Sequence, residues 1–534
     1  MPRHNREFVL DGADGQTLQS LAAALGSRFR VAADGSRTIR QVWLDTFDWR
    51  LDRAGLTLEY VSGQGKYELT LDTREEMRLR ASMAKVKFPG LPDCLPEGPI
   101  RDRIAQIAGL RALLPMAVSR TRRHSMRVLG DEDKTVARIT VDDALVRNPA
   151  GAALFPLAPR LTINAVRGYG AQASRFERLL ADVPGVSVAT ESAFRAAITA
   201  AGHKPPDTSE AGARLTPSMP AGAAIASILL RLLDTAEANV DGVIRDIDTE
   251  FVHDLRIAVR RTRSALKLAG TALPGDLAAR FAPEFRWLGQ VTTPIRDLDV
   301  HLLGFSATAA SLVTAAPEDL APLHTSLLRY RETERRRLVR ALRSARFADL
   351  TRDWRTALQE AATLQAAAMP RARAARRSAA TAQAPIAGLA AEWTRRAYRR
   401  LAKSGSAITA ASPEEDLHTV RKRGKELRYL LEFFSALHQP ATHRAAVKEL
   451  KQLQDCLGAI QDGHVQREAI RMFAGRMVDE RAAPAATLLA MGELAALVDA
   501  SARKARGDFS RRFALFISGG HTRRLATAGE VTLT

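Results

Sequence analysis

Residues 250–268 read EFVHDLRIAVRRTRSALKL, and the reading of that stretch decides the fold of the C-terminal half of the chain. Counting from His253, the cations Arg256, Arg260, Arg263 and Lys267 follow at +3, +7, +10 and +14. At roughly 100° per residue of helix, all five side chains project within an arc of about 80°. Leu255, Ile257, Ala258, Val259 and Leu266 flank the row, so apolar packing lies beside it rather than water on every side. Like charges one turn apart repel by a few tenths of a kcal/mol per pair. Taken alone, the row reads as a solvated basic face, or as cations each answered by an acid elsewhere.

A second copy changes that balance. Residues 415–433 read EDLHTVRKRGKELRYLLEF, where His418, Arg421, Lys425 and Arg428 repeat the offsets 0, +3, +7 and +10. The shift from His253 to His418 is 165 residues, and it also carries Leu288 onto Leu453, Ile295 onto Ile460 and Asp297 onto Asp462. At +14 the copies part, with Glu432 where the first has Lys267. Low identity with a retained row of cations is expected of a duplicated helical unit that keeps one charge task. Ser412, Pro413 and Glu415 suggest a capping box opening the second helix, and Asp248 or Thr249 caps the first. Both histidines thus sit near helix N-termini, which favour anions.

With 534 residues the chain has room for several domains. Its formal charge of +20 points to an anionic partner: nucleic acid, an acidic membrane surface or a polymer of phosphates. Residues 1–210 hold 30 basic against 25 acidic side chains, and the remainder 49 against 34, so most of the excess lies with the repeated rows. Cys94 and Cys456 are the only cysteines, too few for a disulfide framework or a thiolate metal cluster, and they suit a reducing cytoplasm. The first residues, MPRHNREFVLDGADG, lack the apolar run of a secretory signal. AAIASILLRLLDTAEANV is interrupted by Arg231 and Asp234 and reads as an amphipathic core helix, so no membrane partner is expected.

Residues 1–200 are patterned as strands. TIRQVWLDTFDWRL, LTLEYV, KYELTL, HSMRVL, ARITVDDALV and RLTINAV are short β-prone runs separated by turns such as SGQGK. They predict an antiparallel barrel or sandwich, followed by a return to helix over 173–200. Residues 201–220, with four prolines, read as a linker. Helical periodicity then runs from 221 to 520, in repeats of about four helices over 221–375 and 385–520. The expected fold is therefore α+β in two domains, an antiparallel β domain, which the resemblance given below makes a β-barrel, and an all-α bundle of two four-helix repeats.

A row of cations spaced about one per turn suits a linear polyanion. Nucleic acid usually calls for aromatic side chains that stack on bases, and the rows offer only Tyr429. A polymer of phosphates without bases is the better fit.

The quoted stretches, with IRDLD and LKQLQDCLGAIQD after them, resemble the two halves of a CHAD domain, the conserved-histidine α-helical domain, over about residues 215–520. The resemblance implies binding of inorganic polyphosphate and an association with polyphosphate granules. The ligands it implies are His253, Arg256, Arg260, Arg261, Arg263, His418, Arg421, Lys422, Lys425 and Arg428, to which the row itself adds Lys267. Asp297 and Asp462 are read as anchors of the cations rather than ligands.

Residues 1–200 resemble a CYTH domain through RQVWLDTFDWRLDRAGLTLEYVSGQGKYELTL. That family's triphosphate tunnel has eight antiparallel strands, and its active members work on triphosphates with a divalent metal. The implied catalytic positions are largely replaced here. The opening Glu-x-Glu-x-Lys becomes Arg3, Asn5 and Glu7; an Arg-x-Arg becomes Glu59 and Val61; a strand-closing Lys becomes Asp72. A late run of alternating Glu becomes Arg160, Thr162 and Asn164, and a Ser-Lys pair becomes Ser192 and Ala193. Arg120, Arg122 and Arg123 stay basic and read as a solvated strand end. The expectation is an inactive tunnel with no catalytic residues, no metal and no cofactor. The competing readings are a metal-dependent inorganic triphosphatase and a nonspecific nucleic-acid binder.

Overall fold

The computed structural model describes residues 7–11, 23, 30–73, 78–130, 133–166, 168–181, 183–203, 215–363 and 380–527. Arg3, Asn5 and residues 204–214 of the expected linker lie outside them. The chain divides into two compact units, Met1–Ala211 and Gly212–Thr534.

The first unit is built on one antiparallel sheet. Its strands are β1 (Glu7–Leu10), β2 (Arg30–Thr46), β3 (Leu56–Gly63), β4 (Lys66–Thr73), β5 (Arg78–Ser82), β6 (Leu113–Leu129), β7 (Thr135–Arg147), β8 (Phe155–Pro156), β9 (Arg160–Ala165) and β10 (Val186–Val188). They are ordered β10-β1-β9-β7-β6-β2-β3-β4-β5, with β8 beside β7. β3 and β4 are joined through Gln64 and Gly65, both at positive φ (51° and 75°), the conformation that matches strand twist in a two-residue hairpin. The hydrogen-bonded path ends at β5 and β10. The charge of Glu7 on β1 nonetheless reaches Arg78 on β5.

Alternation of side chains decides what each face meets. Leu56, Leu58 and Tyr60 of β3 join Leu69 and Leu71 of β4 in a cluster closed by Ile100, Ile104 and Ala108. Those three belong to a helix, Pro99–Ala108, that the sequence reading did not find. The other face carries Trp43 and Ala117, over which the helix Ala193–Ala200 lays Phe194 and Ile198. Gln41 and Ser119, two residues from Trp43 and Ala117, project from that same face.

The second unit is helical. Besides a short turn at Phe305–Ala309, its elements are α1 (Ala221–Arg245), α2 (Thr249–Ala269), α3 (Leu277–Leu303), α4 (Ala321–Leu342), α5 (Ala345–Thr363), α6 (Ile386–Ser406), α7 (Glu414–Phe433), α8 (Pro440–Asp479), α9 (Ala485–Gly519) and α10 (His521–Thr527). The 165-residue shift is visible in the elements themselves. It carries the start of α1 at 221 onto α6 at 386, and α2 at 249 onto α7 at 414. Pro220 and Pro385, equivalent under the same shift, form a β-bridge with each other. The halves differ where repeat one breaks between α4 and α5, while α9 continues unbroken for 35 residues. One apolar core serves both halves: Leu298, Leu323, Leu327 and Tyr330 pack with Ile470, Phe473, Met477, Met491 and Leu494. α9 is long and apolar enough to cross a membrane, and here it buries Met491, Leu494, Phe509, Phe513 and Phe516 in the unit.

The two ridge helices start differently. Asp248 caps α2, accepting from the backbone amides of Glu250 (2.9 Å) and Phe251 (3.2 Å). The capping box expected at Ser412 does not form. Its hydroxyl accepts from the amide of Thr409 (3.0 Å) in the preceding turn, and α7 opens at Glu414 behind Pro413 without a side-chain cap.

Two glycines set how closely the helices approach. A Cβ on Gly242 of α1 would lie 2.1 Å from the ring of Phe251 on α2, and one on Gly405 of α6 would lie 2.0 Å from the ring of Phe513 on α9. Gly405→Ala should therefore destabilise the unit by about 1–3 kcal/mol through overpacking, despite alanine's better helix propensity. A urea midpoint equal to or above that of the parent protein would show that the Phe513 ring has room to move.

Candidate anion-binding site

The two ridge helices cross each other. Arg261 of α2 bonds Glu432 of α7 at 2.5 Å, and Lys267 bonds Glu426, also at 2.5 Å. Residue number rises along one helix as it falls along the other, so the helices run antiparallel at the contact. Under the 165-residue shift Arg261 is the counterpart of Glu426, and Lys267 of Glu432. The two bridges are thus a single contact made twice about a local twofold axis. Repeat one supplies both cations and repeat two both acids. Glu432 also holds Arg428 at 2.7 Å. Tyr429 is buried at the crossing, with the Arg260 guanidinium 5.8 Å from its ring centre.

Away from the crossing, each row leans on the next helix of its own repeat at matching positions. Arg421 bonds Asp462 of α8 at 2.9 Å, while its counterpart Arg256 bonds the Thr293 hydroxyl of α3 and feels the charge of Asp297. Arg428 donates to Gln454 at 3.3 Å; its counterpart Arg263 lies over Gly289, where a Cβ would come within 2.9 Å of the guanidinium. His418 Nδ1 lies 2.5 Å from Gln461 Oε1. His253 faces Arg296, which occupies the place equivalent to Gln461.

These contacts leave cations of both repeats close together. Burial first, and then the charges of Arg421, Arg260 and Arg256 against the opposing Asp462, bring the Lys425 ammonium down to about 8. Burial and the neighbouring Arg296 and Arg260 hold His253 below its ordinary value, opposed by Glu250 and Asp254. Burial also lowers Arg256, with Asp297 acting the other way and Arg260, Arg296 and Arg263 adding to the fall. Burial raises the Asp297 carboxyl, although Arg256, His301 and Arg296 pull it down. Arg260 Nε is buried with no acceptor among the described residues. A surface on which burial and then neighbouring cations depress a lysine is one on which an anion is stabilised.

All eleven sequence-predicted ligands belong to this pair of helices, but they do not share one environment. Arg263, Lys267 and Lys422 are exposed, and the other eight are partly buried. Arg261 and Lys267 are already bonded to acids of the opposite repeat. Sequence reasoning missed Thr293, Gln454 and Gln461 as supports, and Glu426 and Glu432 as bridges. The signal for the bridges was present: both acids stand where the first copy has cations, and only their pairing needed the fold.

In the sheet unit, several replaced catalytic positions bond to charged neighbours. Arg160 bonds Glu7 at 3.1 Å and the Glu191 carbonyl at 2.7 Å. Asp72 bonds Arg78 at 2.5 Å. Glu59 accepts from Gln41 at 2.6 Å, and its carboxyl is raised by burial against the opposing charge of Arg123. Gln41 in turn accepts from Thr121 at 2.6 Å. Arg123 bonds Asp142 at 2.6 Å, so it is less solvated than expected, while Arg120 and Arg122 are exposed. Ser192 caps the helix Ala193–Ala200. The divalent metal that the CYTH resemblance implies does not fit this set, because Arg160, Thr162 and Asn164 stand where carboxylates would hold it and Arg160 is tied to Glu7.

Residues 227–471 match the family model of the CHAD domain. This stretch is a CHAD domain. The crystal structure of the CHAD domain from the plant Ricinus communis is 22% identical, with a TM-score of 0.42, and the match covers 61% of this chain and 98% of that one. A candidate adenylate cyclase from Bacillus halodurans is 13% identical with a TM-score of 0.27, covering 36% of this chain and 96% of its own. A Hippeastrum protein described as having a dominant triphosphatase activity is 12% identical with a TM-score of 0.26, covering 36% and 92%. No curated protein matches the chain.

The bridges across the CHAD domain's two halves have a measurable consequence. Glu432→Gln should lower stability by about 1–2 kcal/mol, because Arg261 and Arg428 both lose a charged acceptor. Lys267→Ala should cost about 0.5 kcal/mol or less, since Lys267 is largely exposed. Urea denaturation of both variants tests this ordering, and the reverse order would mean that Glu432 does not hold the crossing together.

Proposed function

We propose that the CHAD domain binds inorganic polyphosphate in a basic groove along the two His/Arg/Lys rows, in the cytoplasm and in association with polyphosphate granules. The observation that carries this reading is the convergence on Lys425 of Arg421 from its own row and Arg260 and Arg256 from the other. One linear polyanion lying over the crossing neutralises cations of both repeats at once. Arg256, Arg260, Arg263, Arg421, Lys425 and Arg428 contact phosphate oxygens, with Lys422 at the rim and His253 and His418 as further donors. Arg261 and Lys267 act through their bridges, which hold the rows in register. Tyr429 is buried at the crossing and offers no face for a base, so the site favours phosphate over nucleic acid. The sheet unit has a structural or docking role, with Arg160, Arg78 and Arg123 each already holding an acid.

Three outcomes follow. Arg256→Ala with Arg260→Ala, and separately Arg421→Ala with Lys425→Ala, should each weaken long-chain polyphosphate by roughly a hundredfold, two charge-assisted contacts being worth about 3–6 kcal/mol together. Titration calorimetry in which one pair abolishes binding and the other leaves it unchanged would place the ligand on a single repeat. In competition, RNA of equal charge should displace long polyphosphate poorly, and equal displacement would make the rows a generic polyanion surface. Incubation with triphosphate and Mg²⁺ or Mn²⁺ should release no phosphate, and steady metal-dependent release would return the sheet unit to the enzymes.

Binding should also depend on pH. Below about pH 8 Lys425 is already charged, so the polymer binds without taking up a proton. Above it, binding must return a proton to Lys425, and affinity should fall by up to tenfold per pH unit until the ordinary lysine range near 10.4 is reached. Lys425→Arg, charged throughout, should flatten the curve between pH 8 and 10. A parent protein whose affinity is constant over that interval would show that Lys425 does not meet the ligand.

A further inference from the structure

α6 carries a second basic surface that the duplicated rows do not account for. Arg395, Arg396, Arg399, Arg400 and Lys403 recur along one side of it, spanning about 12 Å of helix, and with Glu392 they line a shallow surface depression of about 350 Å³. Arg396 is bonded to Glu392, but no carboxylate among the described residues pairs with Arg399, Arg400 or Lys403. All three are exposed.

Repeat one has no such surface. The shift of 165 carries these five cations onto Leu230, Arg231, Asp234, Thr235 and Ala238 of α1. There the helix carries acids instead, Asp234 (2.7 Å) and Glu237 (2.5 Å), both answered by Arg355 of α5. The basic face of α6 is thus an addition to, or a retention by, one half only, and twofold packing does not require it.

Its position relative to the second row is set by α7. After the ridge residue Arg421, Lys422 and Arg423 follow at successive steps of about 100° round the helix. Lys422 is exposed, and Arg423 donates to the backbone carbonyl of Arg400 at 3.1 Å. Positive charge therefore continues from the row, round α7, to the C-terminal turns of α6. The aromatic residues of α6, Trp393 and Tyr398, are buried, so the face has charge but nothing on which a base can stack.

We propose that Arg399, Arg400 and Lys403, reached past Lys422 and Arg423, form a run-on site for a polyphosphate chain too long for the two rows. This rests on the reading of the rows as a polyphosphate site and extends it to a preference for chain length. A chain that ends within the rows never meets α6. A longer one leaves the second row over α7 and gains three more cations at high effective concentration, being already bound nearby. The asymmetry between the halves gives the bound polymer one preferred exit.

The test uses the full chain with Arg399→Ala, Arg400→Ala and Lys403→Ala combined, its fold checked by circular dichroism. Affinities are measured for long-chain polyphosphate and for an oligophosphate about 15 Å long, the length of one row. The expected result is a tenfold or greater weakening for the long chain, an unchanged short-chain affinity, and a long-chain salt slope shallower by about 2, three contacts at about 0.7 each. Arg399→Lys with Arg400→Lys should restore most of the loss. Equal long-chain affinity in variant and parent overturns the run-on site while leaving the rows intact. Loss of RNA or duplex DNA binding with polyphosphate unaffected also overturns it and assigns the face to nucleic acid. Failure of the parent protein to bind either phosphate polymer is a different result, since it removes the reading of the rows themselves.

Discussion

A twofold axis brings like residues together, and in a duplicated protein that is a liability wherever the residues are charged. α2 and α7 cross antiparallel with a row of cations on each, so identical copies would set cation against cation at the contact. The chain avoids this by divergence at two positions of the second copy. Glu426 replaces the counterpart of Arg261, Glu432 replaces that of Lys267, and the same geometric contact becomes attractive twice. The shared row of His, Arg and Lys depends on that exchange. With the crossing clamped by acids from one side, Arg260 and Lys425 can be held near each other at a cost shown in the depressed lysine rather than in separation of the halves.

The rows were legible because helical periodicity turns a spacing of 3, 7 and 10 into a common face, and because a second copy at a fixed shift is hard to obtain by chance. The strand-rich first half was legible from alternation. What the sequence did not yield depends on contacts between distant segments. Arg261 and Lys267 look like ligands along their own helix, and only the antiparallel crossing shows them bonded to Glu432 and Glu426. Thr293, Gln454 and Gln461 carry no pattern of their own, since a polar residue on a helix face is ordinary until a guanidinium or imidazole is laid against it. Ser412 was misread for a similar reason: its hydroxyl suits a cap, but the turn at Thr409 takes it first.

The sheet unit shows the same principle with the sign changed. The resemblance to triphosphate tunnels implies a base where Glu7 stands and an acid where Arg160 stands; here the signs are exchanged, and the two side chains bond each other. Asp72, where a Lys is implied, has found Arg78, and Glu59, where an Arg is implied, lies among Gln41, Arg123 and Arg78. A lone reversal inside the sheet unit would leave a half-buried charge without a partner, which costs several kcal/mol. Pairing each charge with an opposite neighbour keeps the local balance and therefore the fold.

Some arginines of the helical unit are held differently from those of the sheet unit, and this bears on where an anion can act. In the sheet unit Arg160, Arg78 and Arg123 each have a carboxylate within 3.1 Å, so an incoming phosphate would have to displace an existing partner. In the helical unit Arg256 leans on a neutral hydroxyl, Arg263 lies over a glycine, and the Arg260 guanidinium faces an aromatic ring. These contacts orient the cations without neutralising them. Removing an acid from the sheet unit would expose a charge that the fold must then accommodate, whereas an anion added to the rows satisfies charges that the fold has already positioned. The physical asymmetry follows from the kind of neighbour each arginine has been given: Arg256, Arg260 and Arg263 rest on neutral groups, whereas Arg261, Lys267, Arg421 and Arg428 of the same two helices already hold acids.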